Sequence, residues 1–81
     1  MTIDEQRKAQ AEAMKARLQL DGSGASVHTR NKAGFYLLWF AGDNWKNDYQ
    51  PERFDRLHSA CESGLTTGDW RAVSAILDRL F

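Results

Sequence analysis

The chain has 81 residues, 42% of them apolar. That is enough for one hydrophobic core and too little for a cofactor domain beside a substrate domain, because a chain of this size buries only about 60 to 65% of its unfolded surface. Its 11 basic residues cancel its 11 acidic ones, which excludes a bulk field strong enough to hold it on nucleic acid or an anionic membrane.

Residues 3–20, IDEQRKAQAEAMKARLQL, are strong helix formers. Asp4 and Glu5 stand in the first turn, Lys15 and Arg17 lie towards the end, and Thr2 is placed as N-cap. The apolar stripe of Ile3, Ala11, Met14 and Leu18 is thin and is interrupted by Arg7, so the start of this helix is expected to pack weakly. Asp21-Gly22-Ser23-Gly24-Ala25 is punctuation, with Gly22 suited to the left-handed residue that closes a helix. Its pattern fits neither a calcium loop nor a phosphate-binding loop, since it lacks the alternating oxygen ligands of the one and the Gly-Lys-Ser/Thr of the other.

The run Phe35 to Phe40, FYLLWF, is the stretch around which the chain must be organised. Six large apolar side chains in a row are expected to be covered by other elements on every face. A short helix over 32–41, capped by Asn31 and closed by Gly42, meets that demand. The alternative is a β-hairpin over 27–40 turning at Asn31-Lys32-Ala33-Gly34, but a strand in so small a protein should alternate apolar and polar residues and this run does not.

Residues 43–50, DNWKNDYQ, form a polar loop carrying Trp45 and Tyr49. Pro51 then opens a helix at its first position, with Phe54, Leu57 and Cys61 on the apolar stripe and Glu52, Arg53, Asp55 and Arg56 facing solvent. It is expected to run to residue 63 and to end at Gly64. Thr66 and Asp69 resemble a capping box for a last helix reaching Leu80, with Trp70, Val73, Leu77 and Leu80 on one face and Ile76 widening it. The short link makes these two helices an antiparallel hairpin.

The inventory of reactive groups is small. His58 and Cys61 stand at i and i+3 and supply two metal ligands at most, and His28 would have to reach across to add a third. No catalytic residue, metal site or cofactor site is assigned. Five aromatics, Trp39, Phe40, Phe54, Trp70 and Phe81, are assigned to the core, and Tyr36, Trp45 and Tyr49 to a surface that contacts a protein partner. The alternative is a nucleic-acid contact through Arg30, Lys32 and Lys46, which flank the aromatic stretch.

The expectation is therefore one all-α domain over 1–81: a polar helix in 1–22, a central apolar element and loop in 26–50, and a helical hairpin in 51–81. An α+β fold with the hairpin at 27–40 is the alternative. The expected role is a small non-enzymatic interaction module, adaptor or inhibitor, that binds a protein partner or its own copy, with a nucleic-acid accessory protein as the second reading. The single cysteine, Cys61, fits a reducing, cytoplasmic setting. The polar start MTIDEQRKAQ is not expected to act as a signal peptide, and the longest apolar run is far below the roughly 18 to 20 residues that span a bilayer.

Overall fold

Four helices follow one another in a computed structural model that describes residues 2–21 and 24–80: α1 (Ile3–Asp21), α2 (Val27–Phe40), α3 (Pro51–Thr67) and α4 (Arg71–Asp78). The fold is all-α. The 27–40 segment is one continuous helix, so the β-hairpin alternative is not supported. Pairing in the extended sense is confined, among the described residues, to a single antiparallel bridge between Ala41 and Tyr49. No helix among them is long and apolar enough to cross a membrane. Gly22 as the closing residue of α1 and Phe81 as a core aromatic lie outside the described residues.

The start of α1 is set by a reciprocal cap. Thr2 Oγ1 accepts from the Glu5 amide at 3.2 Å, and the Glu5 carboxylate accepts from the Thr2 amide at 3.4 Å, so two otherwise orphaned donors are satisfied. Ala11, Met14 and Leu18 are buried, whereas Ile3 remains mostly exposed. Arg7 breaks the stripe as the sequence suggests, yet it is not idle. Its Nη1 donates to the Tyr49 hydroxyl at 2.6 Å, and its Nη2 lies 3.4 Å from the Asp55 carboxylate, which ties the first turns of α1 to the loop and to α3.

Helix α2 begins earlier than the sequence suggests. Its N-cap is Ser26, whose Oγ accepts from the Thr29 amide at 3.1 Å, not Asn31. Gly34 lies in the helix interior rather than in a turn, and a Cβ there would come within 2.8 Å of Lys15 Cγ. It is the missing side chain that lets the stem of Lys15 on α1 lie directly on α2. The other end closes as expected at Gly42, whose φ is +86°. The Gly42 amide donates to the Trp39 carbonyl and the Asp43 amide to the Leu38 carbonyl, both at 3.0 Å, the paired bonds of a Schellman closure.

Helix α3 starts on Pro51 and passes through Gly64 to Thr67, ending at Gly68 with φ +77°. The expected stop at Gly64 is wrong for a packing reason. A Cβ on Gly64 would sit 2.5 to 2.8 Å from the Trp70 ring, so this glycine provides the floor on which the indole lies. Thr66 does not cap α4, because its hydroxyl donates back to the Glu62 carbonyl. The Asp69 carboxylate instead accepts from the Arg71 amide and side chain, and the Arg71 guanidinium holds the Asp69 carboxyl down at about 2. Helix α4 is accordingly shorter than expected, with Val73 and Leu77 buried and Ile76 and Leu80 packed at the edge of the core.

Helix α2 touches all three other helices, α1 bears on α2 and α3, and α4 bears on α2 and α3. The core gathers Met14, Leu18, Leu37, Phe40, Phe54, Leu57 and Val73 into one cluster. The apolar run thus lies at the centre of the architecture, as its composition demands. It is not covered on every face: Leu37 and Phe40 are buried, Tyr36, Leu38 and Trp39 are half-buried, and Phe35 is 53% exposed.

Candidate functional site

The loop between α2 and α3 is built from side chains that bond to its own backbone. Asn44 donates from Nδ2 to the Trp39 carbonyl at 2.8 Å, and its Oδ1 accepts from the Lys46 and Asp48 amides at 2.9 and 3.2 Å. Asparagine is suited to this because its amide mimics a peptide group. Asp48 then takes the Trp39 indole N–H at 3.0 Å and the Gln50 amide side chain at 2.6 Å. The Gln50 backbone amide donates to the Phe40 carbonyl at 2.7 Å, which shuts the loop. Asn47 adopts φ +52°, a left-handed conformation that Asn tolerates better than most residues.

At the tip of this hydrogen-bonded frame stands Trp45, 83% exposed. Lys46 Nζ lies 4.9 Å from the centre of its ring, a cation–π contact on one face of the indole. Towards α2 the surface continues as an open groove that includes Phe35, Leu38 and Trp39, with Lys15 and Asp43 also along it. Phe35 packs against Trp39 at 5.7 Å and against Tyr36 edge-on at 5.1 Å. On the far flank of Phe35 a second groove runs past Lys32 and Tyr36. Phe35 is therefore a ridge between two hollows, and Trp45 extends one of them.

Of the residues assigned from the sequence to a partner surface, Trp45 is displayed, Tyr36 is half-buried with its ring 5.6 Å from Phe40, and Tyr49 is turned inward. The Arg7 guanidinium lies 5.8 Å from the centre of the Tyr49 ring while bonding its hydroxyl. Burial, together with a hydrogen bond to Asp4, pushes the Tyr49 hydroxyl above its ordinary range. Tyr49 thus braces the loop. Phe35 was missed by sequence reasoning because the run was treated as a block. The signal lies in helical phase: with Ala33, Leu37 and Phe40 inward at i, i+4 and i+7, position 35 points away from the core.

The basic residues of the alternative reading are dispersed. Arg30 turns towards α1, with Nη1 3.5 Å from the Gln19 carbonyl; Lys32 borders the groove beyond Phe35, and Lys46 lies over Trp45. Arg30 and Lys46 line neither of the two grooves beside Phe35, and Lys32 lines only one of them. His58 stacks on Phe54 at 5.5 Å, with Nδ1 4.0 Å from Glu62, while the neighbouring Cys61 is fully buried and burial pushes its thiol up to about 12. A thiol so placed stays protonated and is a poor nucleophile or metal ligand. Among the described residues, no three His, Cys, Asp or Glu side chains come together in a way that would hold a metal ion.

No protein-family model, no curated protein and no solved structure matches this chain.

Proposed function

We propose that the chain is a non-enzymatic protein-binding module of the adaptor or inhibitor kind, working in a reducing compartment such as the cytoplasm, with Trp45 and Phe35 as its anchors. The observation that carries this reading is the Trp45 indole, exposed at 83% on a loop whose frame is fixed by hydrogen bonds. An exposed indole on a fixed frame is the arrangement expected of a binding anchor, since large aromatic side chains dominate interface energetics. Tyr36 supports the ridge from one side, and Tyr49 acts indirectly, by bracing the loop.

The chemistry of the rim selects the partner. Lys15, Lys32 and Lys46 border the aromatic face, with Asp43 along the same groove and the Asp48 carboxylate engaged by the Trp39 indole. In a two-fold homodimer this face would meet itself and bring those lysines together. A different protein, offering an apolar anchor point flanked by acidic residues, complements it better.

The test compares wild type with Trp45→Ala and Phe35→Ala. Each is expected to fold as wild type by circular dichroism and to weaken binding to a captured partner by about 2 kcal/mol, roughly 30-fold. Sedimentation of the wild type alone should give a monomer. A wild-type dimer dissociated by Trp45→Ala would instead make the face a contact between copies. Unchanged affinity in both variants refutes the reading. A steep loss of binding with salt, together with sensitivity to Arg30→Ala and Lys32→Ala, would favour a nucleic-acid partner.

A further inference from the structure

A further hollow, remote from the Trp45 loop in sequence, lies where α3 meets the end of α4. It is a cavity of about 140 Å³ lined by Phe40, Ile76 and Leu80 and by three arginines, Arg53, Arg56 and Arg79. Phe40 is a core residue, and Ile76 and Leu80 are half-buried against the core, so the apolar part of the hollow reaches into the body of the fold. Arg53 and Arg56 stand at i and i+3 on α3, while Arg79 follows the last turn of α4. All three arginines are exposed, and none of their guanidinium groups makes a hydrogen bond or ion pair with a described residue. The guanidinium of Arg53 lies 5.9 Å from the centre of the Phe40 ring, held against the hollow by a cation–π contact.

Elsewhere on the same molecule arginines do find acids. Arg7 pairs with Asp55 and Arg71 with Asp69. Three arginines that pair with no described acid line one hollow, with no acid among its lining residues, which leaves a local charge of one sign beside an apolar floor. Guanidinium groups in that arrangement favour carboxylate or phosphate oxygens, which they can engage in pairs. An apolar cavity of about 150 Å³ accommodates benzene, so the floor suits one aromatic ring or a short branched alkyl group rather than a long chain.

From this we infer that the hollow between α3 and α4 is a binding site for a small amphipathic anion, an aromatic or short alkyl group bearing a carboxylate or phosphate. The ring occupies the space beside Phe40, Ile76 and Leu80, and the anionic group lies among Arg53, Arg56 and Arg79. The site is separate from the Trp45 loop in its lining residues, so it can be occupied without competing for that face.

Phenyl phosphate is a suitable probe, titrated into the full chain and followed by amide and arginine side-chain resonances in NMR. The expected result is saturable shifts at Arg53, Arg56, Arg79, Ile76 and Leu80. Inorganic phosphate and benzyl alcohol are each expected to bind at least tenfold more weakly, because each satisfies only half of the site. Arg56→Gln and Arg79→Gln change exposed side chains and should leave the melting temperature nearly unchanged while weakening phenyl phosphate at least tenfold in combination. Arg53→Lys keeps the charge and should retain part of the affinity. Inorganic phosphate binding as well as phenyl phosphate would reduce the site to surface charge and overturn the inference. Benzyl alcohol binding equally well, undiminished binding in the double variant, or an absence of shifts at these residues would overturn it as well.

Discussion

Gly64→Ala offers a test in which two physical effects oppose each other in sign. In an ordinary helix interior, alanine is favoured over glycine by about 1 kcal/mol. Here the new methyl carbon would lie 2.5 Å from Trp70 Cε3 and 2.7 Å from Cζ3, well inside the roughly 3.5 to 4 Å at which carbons make favourable contact. The indole has little freedom to retreat, because its other edge faces Gly24, where a Cβ would come within 2.6 Å of Nε1, and the side chain is only 8% exposed. Overpacking of this kind costs about 1 to 3 kcal/mol. After the propensity gain, a net loss of up to about 2 kcal/mol is expected, read as a fall of up to roughly 15 °C in the melting temperature of a domain this small. The deciding measurement is a double-mutant cycle by chemical denaturation. Trp70→Ala alone should cost about 3 to 5 kcal/mol. Adding Gly64→Ala to that background should then stabilise, giving a coupling of about 1 to 3 kcal/mol between the sites. A stabilising Gly64→Ala in the wild-type background, or additive effects, would show that the indole does not rest on Gly64.

Two further outcomes are expected. The Cys61 thiol, buried and pushed up to about 12, should resist iodoacetamide in the native chain at pH 8 and react once denaturant unfolds it; rapid native labelling would contradict its burial. Because its folded pKa lies above the ordinary value near 8.5, its contribution to stability is complete below that pH and is lost as pH rises towards 12, so stability should fall more steeply above pH 9 in wild type than in Cys61→Ala. In hydrogen exchange, amides of residues 6–10, which contain no buried side chain, should open before those of residues 57–64, where Leu57, Ala60, Cys61 and Gly64 are buried. Equal protection would mean that the Arg7 contacts to Tyr49 and Asp55 secure the start of α1 as firmly as a core does.

What was legible in the sequence were features whose physics is local. Pro51 at the head of α3, the Thr2 cap, the Gly42 closure and the stripes of α3 and α4 all depend on residues within a turn or two of one another. Gly64, expected to end α3, and Gly34, a turn residue only in the β-hairpin alternative, are each required by a partner distant in sequence, the Trp70 ring in one case and the Lys15 stem in the other. A glycine that ends a helix and a glycine that admits a neighbour look alike until the neighbour is known. The site divides in the same way. Trp45 stood out as a costly aromatic in a polar loop, whereas Phe35 was hidden inside an apolar run and the Arg53, Arg56 and Arg79 cluster exists only once α3 and α4 are brought together.

The bond from the Gln50 amide to the Phe40 carbonyl also bears on how quickly the chain can reach this fold. It shuts a short loop, and short loops cost little chain entropy to close. It also fixes the direction in which α3 leaves α2 before any contact between distant segments is needed. With α1 against α2 and α3 against α4 as sequence-adjacent pairs, most of the ordering proceeds between neighbours along the chain. Topologies of that kind fold on a timescale of roughly microseconds to milliseconds, so a newly made chain would expose its apolar run only briefly before Leu37 and Phe40 are covered.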